Sequence, residues 1–208
     1  MLNHSGSEMG RASGAGAPAE FHHTRDNRSK GTMANQLILM RHAKSSHDDA
    51  ALSDHDRPLS PRGRHDAPRM ADWLDQQDAV PHLILCSTAT RTRQTAELML
   101  TRWGKTPIVS FCKSLYLASP EAMLATVRSD HCDQGSIMIL AHNPGISELA
   151  SILAGQSLPM PTAAVAIFDL PATQADKPGR ESRSALDRLS VDSRLPLVAF
   201  TRPKALDP

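Results

Sequence analysis

The sequence predicts an α/β domain built on a largely parallel sheet. Three short, continuous apolar runs are typical of strands covered on both faces, at residues 37–40, 83–86 and 137–141. Segments with helical spacing of apolar residues separate these runs, and alternating strands and helices favour parallel pairing. In such sheets ligands bind beyond the carboxyl ends of the strands. The residues that follow each run are therefore the first candidates for a functional site.

Four helices and three further strands complete the prediction. Ser60 and Pro61 supply an N-cap and a first-turn proline for a helix that extends to about residue 77. The other helices are predicted over 92–103, ended by Gly104, over 120–128, and over 146–154, ended by Gly155. The remaining strands are predicted at 107–111, 163–170 and 197–201.

Two polar segments are predicted to lie outside the core. Residues 1–32 contain almost no large aliphatic side chains, which predicts a disordered N-terminal extension. Met33 directly precedes the first strand, and our hypothesis is that Met33 is the natural start. The rest, 33–208, is predicted to form one domain, interrupted by a charged, flexible insertion at 172–194 that holds one short helix and contributes little to the core.

The composition excludes several classes of function. A formal net charge of +1 argues against a broad nucleic-acid-binding surface, and 3% aromatic residues argue against a platform for stacked bases. No apolar run approaches the roughly 18 residues of a membrane span. Cys86, Cys112 and Cys132 form no CxxC pair, which indicates reduced thiols. We therefore predict a cytoplasmic protein without nucleic-acid or membrane partners.

Cationic and imidazole side chains follow three of the predicted strands. Arg41 and His42 follow the first strand, Arg91 comes shortly after the second, and His142 follows the run at 137–141. Guanidinium groups, imidazoles and the amides of helix starts suit a tetrahedral dianion such as phosphate. A neutral imidazole between guanidinium groups is a good nucleophile toward phosphorus, because the arginines neutralise the phosphoryl oxygens.

Alternatives remain for several of these residues. Arg91 at a helix start requires a nearby anion, which is either a surface carboxylate or phosphate. His142 either caps the turn at 142–145 or belongs to the phosphate site. Lys44 either adds positive charge to that site or points into solvent. His55 is taken as a surface residue. No Walker-type loop, HExxH motif or EF-hand loop occurs, so we predict no metal.

Four segments together resemble the histidine phosphatase superfamily and, more narrowly, its SixA-type phosphohistidine phosphatase branch. They are RHAKS at 41–45, DRPLSPRG at 56–63, STATRTRQTA at 87–96 and HNPG at 142–145. The resemblance extends over 37–204, apart from the insertion at 172–194. It implies a three-layer fold like that of phosphoglycerate mutase, with a mixed, mostly parallel sheet flanked by helices, and it implies no metal or other cofactor.

The resemblance also implies a role for each matching residue. His42 would be the nucleophile that becomes transiently phosphorylated, and water would then hydrolyse the phosphohistidine. Arg41, Arg91 and His142 would hold the phosphoryl oxygens and stabilise the transition state. Arg57 would support substrate binding near the mouth of the pocket.

Two departures from the family pattern bear on the substrate. Ala43 stands where many members have glycine, so its methyl group must not crowd the phosphate. No motif selects a proton donor among Asp48, Asp49, Asp56 and Glu121. A general acid contributes about 10²–10⁴-fold to hydrolysis of an ester, whereas a P–N bond is labile. The sequence therefore favours a phosphohistidine in a protein over two alternatives, a small phosphate ester and an inactive phosphate-binding module.

Overall fold

The computed structural model describes residues 35–130, 135–171 and 185–207. Its strands are β1 Gln36–Arg41, β2 Leu83–Ser87, β3 Ile108–Cys112, β4 Ile137–Ala141, β5 Val165–Asp169 and β6 Leu197–Thr201. Its α-helices are α1 Pro61–Gln76, α2 Thr90–Leu100, α3 Pro120–Asp130 and α4 Gly145–Ala154.

The six strands form one mixed sheet in the order β3-β2-β4-β1-β5-β6. The neighbours from β3 to β1 pair in parallel, whereas β5 is antiparallel to both β1 and β6. The prediction of a mixed, mostly parallel sheet is confirmed. The carboxyl ends of β1, β2 and β4 therefore meet at one edge, which we call the carboxyl edge.

The sheet separates two apolar cores, which gives the three layers that the sequence predicts. Along β1, Leu37 and Leu39 belong to the core that includes residues of α3 and α4. Ile38 and Met40 belong to the core that includes residues of α1 and α2. Because the side chains of a strand alternate between its faces, a strand covered on both sides is apolar throughout. The central position of β1 thus explains its continuous apolar run.

The helix ends follow local sequence in two cases. The hydroxyl oxygen of Ser60 accepts a hydrogen bond from the amide of Gly63 at 3.2 Å, so α1 begins as predicted. Gly155 ends α4 with a φ of 66°, a left-handed conformation that glycine adopts without strain.

Helix α2 differs from the prediction at both ends, since it begins at Thr90 and ends at Leu100 instead of Trp103. The indole N–H of Trp103 nevertheless donates to the carbonyl of Ala71 at 3.0 Å, so the ring packs against α1 from the loop. Apolar spacing could not distinguish a helical position from this loop position.

The segment at 172–194 is only partly described, and its described part corrects one expectation. A 3-10 helix at Leu186–Arg188 is the short helix that the sequence predicts. Leu186 and Leu189 are buried in the core that includes α3 and α4, so this part does contribute to the core. Isolated leucines without periodicity do not reveal such packing.

Several expectations concern residues outside the described ranges. These are the extension at 1–32, the start at Met33, the thiol of Cys132, and residues 172–184. Cys86 and Cys112 are free, buried thiols. In the described part of the chain, no helix has the length and apolar character needed to cross a bilayer. The domain boundaries and the cytoplasmic location stay predictions.

The first turn of α1 is pressed against the loop that follows β1. We expect Gly63→Ala to lower the free energy of unfolding by about 1–3 kcal/mol. The reason is that its methyl carbon would lie 2.1 Å from the carbonyl oxygen of Lys44. Urea unfolding followed by circular dichroism measures the change. Gly104→Ala is the matched control, because nothing lies within 4 Å of the added carbon there. Equal losses in the two variants would contradict the close contact.

Candidate active site

The register of the sheet brings two histidines together at the carboxyl edge. Strands β1 and β4 pair in parallel with Arg41 opposite Ala141, so the next residue of each chain segment is a histidine. The ring centroids of His42 and His142 are 5.1 Å apart. Two sequence segments about a hundred residues apart thus form one site.

The imidazole of His42 is held in one tautomer. Its Nδ1 lies 2.7 Å from the carbonyl oxygen of Ala43. A carbonyl can only accept, so Nδ1 carries the proton and the lone pair is on Nε2. The Nε–H of Arg91 donates to this Nε2 at 3.3 Å. The nitrogen that can attack phosphorus therefore lies directly beside a guanidinium group.

Arg91 also fixes the orientation of His142. Its NH2 group donates to Nδ1 of His142 at 3.2 Å, and Nε2 of His142 lies 2.7 Å from the hydroxyl of Ser87. A guanidinium has no acceptor, so Nε2 of His142 carries the proton and donates to Ser87. A serine hydroxyl can also donate, and Ser87 therefore suits the other tautomer of His142, in which Nδ1–H would donate to a phosphoryl oxygen.

Arg41 reaches the same site from the end of β1. Its NH1 group donates to the carbonyl of Met160 at 3.1 Å. The buried Nε of Arg41 has no acceptor among the described residues. An unpaired buried donor is costly, and a bound anion would satisfy it.

The surroundings keep both histidines neutral at pH 7. Burial lowers the pKa of His42 to about 3, and the neighbouring His142, Arg91 and Arg41 act in the same direction. Burial, Arg91 and Arg41 likewise lower the pKa of His142 to about 3. His42 is 6% exposed and Arg91 is 4% exposed. An unprotonated nucleophile beside two guanidinium groups is the state that phosphoryl transfer requires.

A carboxylate that the sequence analysis missed occupies the other side of Arg91. The NH2 group of Arg91 donates to Oδ2 of Asp54 at 2.9 Å, and the hydroxyl of Tyr116 donates to the same oxygen at 2.8 Å. The NH1 group of Arg91 contacts the carbonyl of Asp54. Partial burial raises the pKa of Asp54, but hydrogen bonds from Tyr116, Arg91 and Arg57 prevail and lower it to about 2. Asp54 is thus an ionised partner of Arg91.

Tyr116 and His55 are further residues that the sequence did not bring into the site. The ring of Tyr116 meets those of His142 and His55 edge-on, with centroid distances of 5.4 and 4.9 Å. His55 also contacts the hydroxyl of Thr88 at 3.0 Å, so it is not the isolated surface residue that the sequence suggests. These contacts join side chains from separate segments of the chain. The one signal in the sequence is that Asp54 stands three residues before Arg57, a spacing at which two opposite charges can pair.

Arg57 lies at the edge of this cluster. It donates to Oδ1 of Asp54 at 2.9 Å and to the hydroxyl of Ser45 at 3.0 Å. It also donates to the carbonyl of Ser46 at 3.0 Å and contacts His47. Arg57 therefore holds the loop after β1 and reaches Arg91 only through Asp54.

The four carboxylates that the sequence leaves as candidate proton donors lie elsewhere. Asp48 accepts from the hydroxyl of Ser46, Asp49 from the amide of Ala51, and Asp56 from the hydroxyl of Ser53. Glu121 is in the first turn of α3. None of these carboxylates contacts His42, Arg91 or His142 within the described residues. The geometry therefore selects none of the four candidates as a general acid.

The methyl group of Ala43 does not disturb the site. It is buried in the core that includes residues of α1 and α2. The amide of Ala43 donates to the hydroxyl of Thr95 at 3.1 Å. The side chain of Arg93 stacks on Phe111, with its guanidinium carbon 4.6 Å from the ring centroid, so it lies outside the site.

Comparisons with known proteins show what this chain is similar to. Residues 37–111 match the family model described as histidine phosphatase superfamily (branch 1). An uncharacterised chloroplastic protein of Arabidopsis thaliana is 39% identical over 146 residues, which cover 66% of this chain and 67% of that protein. An uncharacterised protein of Mycobacterium leprae is 32% identical over 144 residues, which cover 63% of this chain and 87% of that protein.

The chain belongs to the histidine phosphatase superfamily. This histidine phosphatase is a hydrolase with a histidine nucleophile, and the resemblance that the motifs indicate is confirmed.

Two solved structures share the fold of this histidine phosphatase. One is described as the putative phosphohistidine phosphatase SixA from Agrobacterium tumefaciens, with 24% identity and a TM-score of 0.63 over 82% of this chain and 99% of that one. The other is the protein histidine phosphatase SixA complexed with tungstate, with 20% identity and a TM-score of 0.65 over 83% and 99% of the two chains.

The low pKa of both histidines predicts a specific response of the phosphatase to acid. The unfolded chain takes up protons on these imidazoles near pH 6.5, whereas the folded chain does so near pH 3. Below pH 6.5 the unfolded state therefore binds more protons, and stability falls as the pH falls. We expect the free energy of unfolding at pH 5 to be about 1–2 kcal/mol lower per histidine than at pH 7.

Urea unfolding at the two pH values measures this loss, and histidine NMR signals report the protonation directly. His142→Asn should reduce the loss between pH 7 and 5. Imidazole signals of His42 and His142 that titrate like a free histidine would contradict the assigned neutral state.

The ion pair between Arg91 and Asp54 predicts how the phosphatase binds anions. If Arg91 binds the phosphoryl group, the carboxylate of Asp54 repels that group. We therefore expect Asp54→Asn to tighten binding of inorganic phosphate about tenfold. Isothermal titration calorimetry measures the dissociation constant. Asp56→Asn removes an exposed carboxylate of the same loop that does not contact Arg91, so it is the matched control. Weaker phosphate binding by Asp54→Asn would refute the competition between the two anions.

Proposed function

We propose that this histidine phosphatase removes the phosphoryl group from a phosphohistidine side chain of a protein, with His42 as the nucleophile. Arg41, Arg91 and His142 bind the phosphoryl oxygens, and Arg57 acts indirectly by holding Asp54. We assign this activity to one domain at residues 33–208.

The choice of substrate is inferred from the ionisation state of Asp54. Among the described residues, Asp54 is the carboxylate that contacts Arg91, and hydrogen bonds from Tyr116, Arg91 and Arg57 lower its pKa to about 2. A group with this pKa is ionised at pH 7 and cannot supply a proton to an alkoxide. A phosphate ester depends on such a donor, whereas the P–N bond of phosphohistidine breaks more readily.

The reaction that we propose has two steps. The lone pair on Nε2 of His42 attacks phosphorus, and the P–N bond of the substrate breaks as its imidazole nitrogen takes a proton from solvent. Meanwhile the Nδ1–H of His42 keeps its hydrogen bond to the Ala43 carbonyl. Water then attacks the phosphorus on Nε2, releases inorganic phosphate and returns the lone pair to His42. The guanidinium groups of Arg41 and Arg91 stabilise the charge on the phosphoryl oxygens in both steps.

Two alternatives remain weaker. A small phosphate ester calls for polar anchors on an insertion over the pocket, and the loop at 43–59 between β1 and α1 is short. Of the two SixA proteins that share the fold, one is named a phosphohistidine phosphatase and the other a protein histidine phosphatase, and these names also favour the protein substrate. An inactive phosphate-binding module does not need a nucleophile, yet His42 has the tautomer and the low pKa of one.

The proposal predicts a phosphorylated intermediate on His42 and a preference for phosphohistidine. After rapid mixing with a ³²P-labelled phosphohistidine peptide and quenching in base, we expect acid-labile label on His42. We expect kcat/KM for this peptide to exceed that for the corresponding phosphoserine peptide, whose alkoxide leaving group needs a proton, by at least about 10²-fold, the smaller contribution of a missing general acid.

Matched variants separate the possible outcomes. His42→Ala should lose the label and turnover, while His47→Ala, which changes an exposed histidine of the same loop, should retain both. Unchanged turnover in His42→Ala would refute the nucleophile. Equal kcat/KM values for the phosphohistidine and phosphoserine peptides would favour an ester as substrate, and turnover of neither peptide nor of p-nitrophenyl phosphate would favour the binding module.

A further inference from the structure

A small cavity with three cationic side chains lies at the carboxyl edge of the sheet. It has a volume of about 130 Å³ and is lined by Arg62, Pro161, Thr162, Arg202, Pro203 and Lys204. None of these residues contributes to the chemistry described above. Two of the cations come from the segment after β6, and the third comes from the first turn of α1.

Backbone contacts tie this cavity to the loop that carries His42. The amide of Ala163, the residue after Thr162, donates to the carbonyl of His42 at 3.1 Å. The amide of Ser60, at the start of the helix that carries Arg62, donates to the carbonyl of Lys44 at 2.9 Å. Two elements that line the cavity are thus hydrogen-bonded to the segment that carries His42.

The cations of the cavity are poorly compensated. Arg62 pairs with Asp66 through Nε at 3.3 Å. Arg202 and Lys204 are exposed, and neither pairs with a carboxylate of the described residues. The nearby Asp207 pairs instead with Arg69 at 2.9 Å. No acidic side chain lines the cavity, so its potential is positive in a chain whose net charge is only +1.

Residues that precede Met160 line a second cavity, whose charge is negative. This larger cavity of about 630 Å³ begins at Pro159, and its charged lining residues are Glu121 and Glu148. The carbonyl of Met160 itself accepts from Arg41. The segment at 157–162 therefore lines an acidic cavity before Met160 and a cationic cavity after it, so an anionic group of the substrate is favoured at Arg202 and Lys204.

We propose that this cationic cavity, formed by Arg62, Thr162, Arg202 and Lys204, binds an acidic side chain of the phosphoprotein close to its phosphohistidine. The inference rests on the proposed function and adds a specificity determinant to it. The hydroxyl of Thr162 and the three cations supply donors for a carboxylate. Pro161 and Pro203 restrict the backbone on which these donors are mounted.

Binding of synthetic peptides tests the proposal without turnover. The probes carry a non-hydrolysable phosphohistidine analogue and a fluorescent label, and are neutral or have glutamates on the N-terminal or the C-terminal side. We expect fluorescence anisotropy at low salt to show about tenfold tighter binding of one of the two acidic peptides, and the preference should shrink as salt is added.

Two double variants with the same change in charge locate the effect. Arg202→Gln with Lys204→Gln should abolish the preference for the acidic peptide and leave turnover of p-nitrophenyl phosphate unchanged. Arg102→Gln with Lys105→Gln, in the loop after α2 at the opposite edge of the sheet, should retain the preference.

Each remaining outcome overturns the inference. Equal binding of all peptides by the unmodified protein, the same preference in both double variants, or no binding of any peptide would each refute the cavity as a docking site. The proposed function is judged separately, by the label on His42, so its failure is distinguishable from a failure of the cavity.

Discussion

The site depends above all on the buried guanidinium of Arg91. It lies in the first turn of α2, where the positive end of the helix dipole disfavours a cation. Hydrogen bonds to His42, His142 and Asp54 compensate for its burial. A buried charge left without partners costs about 3–5 kcal/mol, so the positions of both imidazoles and of the loop at 43–59 are coupled to this one side chain.

The same arrangement explains why both histidines are neutral and not cationic. Protonation of His42 or His142 would add a positive charge beside Arg41 and Arg91 in a buried place. A phosphoryl dianion is attracted by the same guanidinium groups, and Nε2 of the neutral His42 keeps its lone pair for phosphorus. The carboxylate of Asp54 balances Arg91 from the solvent side, so the positive charge is concentrated without leaving a buried ion unpaired.

The contacts of the loop after β1 contribute both to the stability of the fold and to the geometry of the site. Gly63 allows α1 to approach the carbonyl of Lys44, and Arg57 ties Ser45 and Ser46 to Asp54. These contacts hold the backbone on either side of His42 and Asp54. The cationic cavity is lined by the first turn of α1, which these contacts hold, and by the turn at 161–164, so substrate binding there would act on a backbone that is already fixed.

The sequence by itself determined the elements and the principal site residues. Continuous apolar runs predict strands buried on both faces, and residues after those strands must meet at the carboxyl edge, which brings Arg41, His42, Arg91 and His142 together. The sequence could not reveal Asp54, Tyr116 or Ser87, because their contacts join segments distant in the chain and follow no period. The burial of Leu186 and Leu189 and the lowered pKa values likewise depend on packing. Local patterns follow from backbone geometry, whereas charge balance and tautomer are decided only when the tertiary structure fixes the distances between groups.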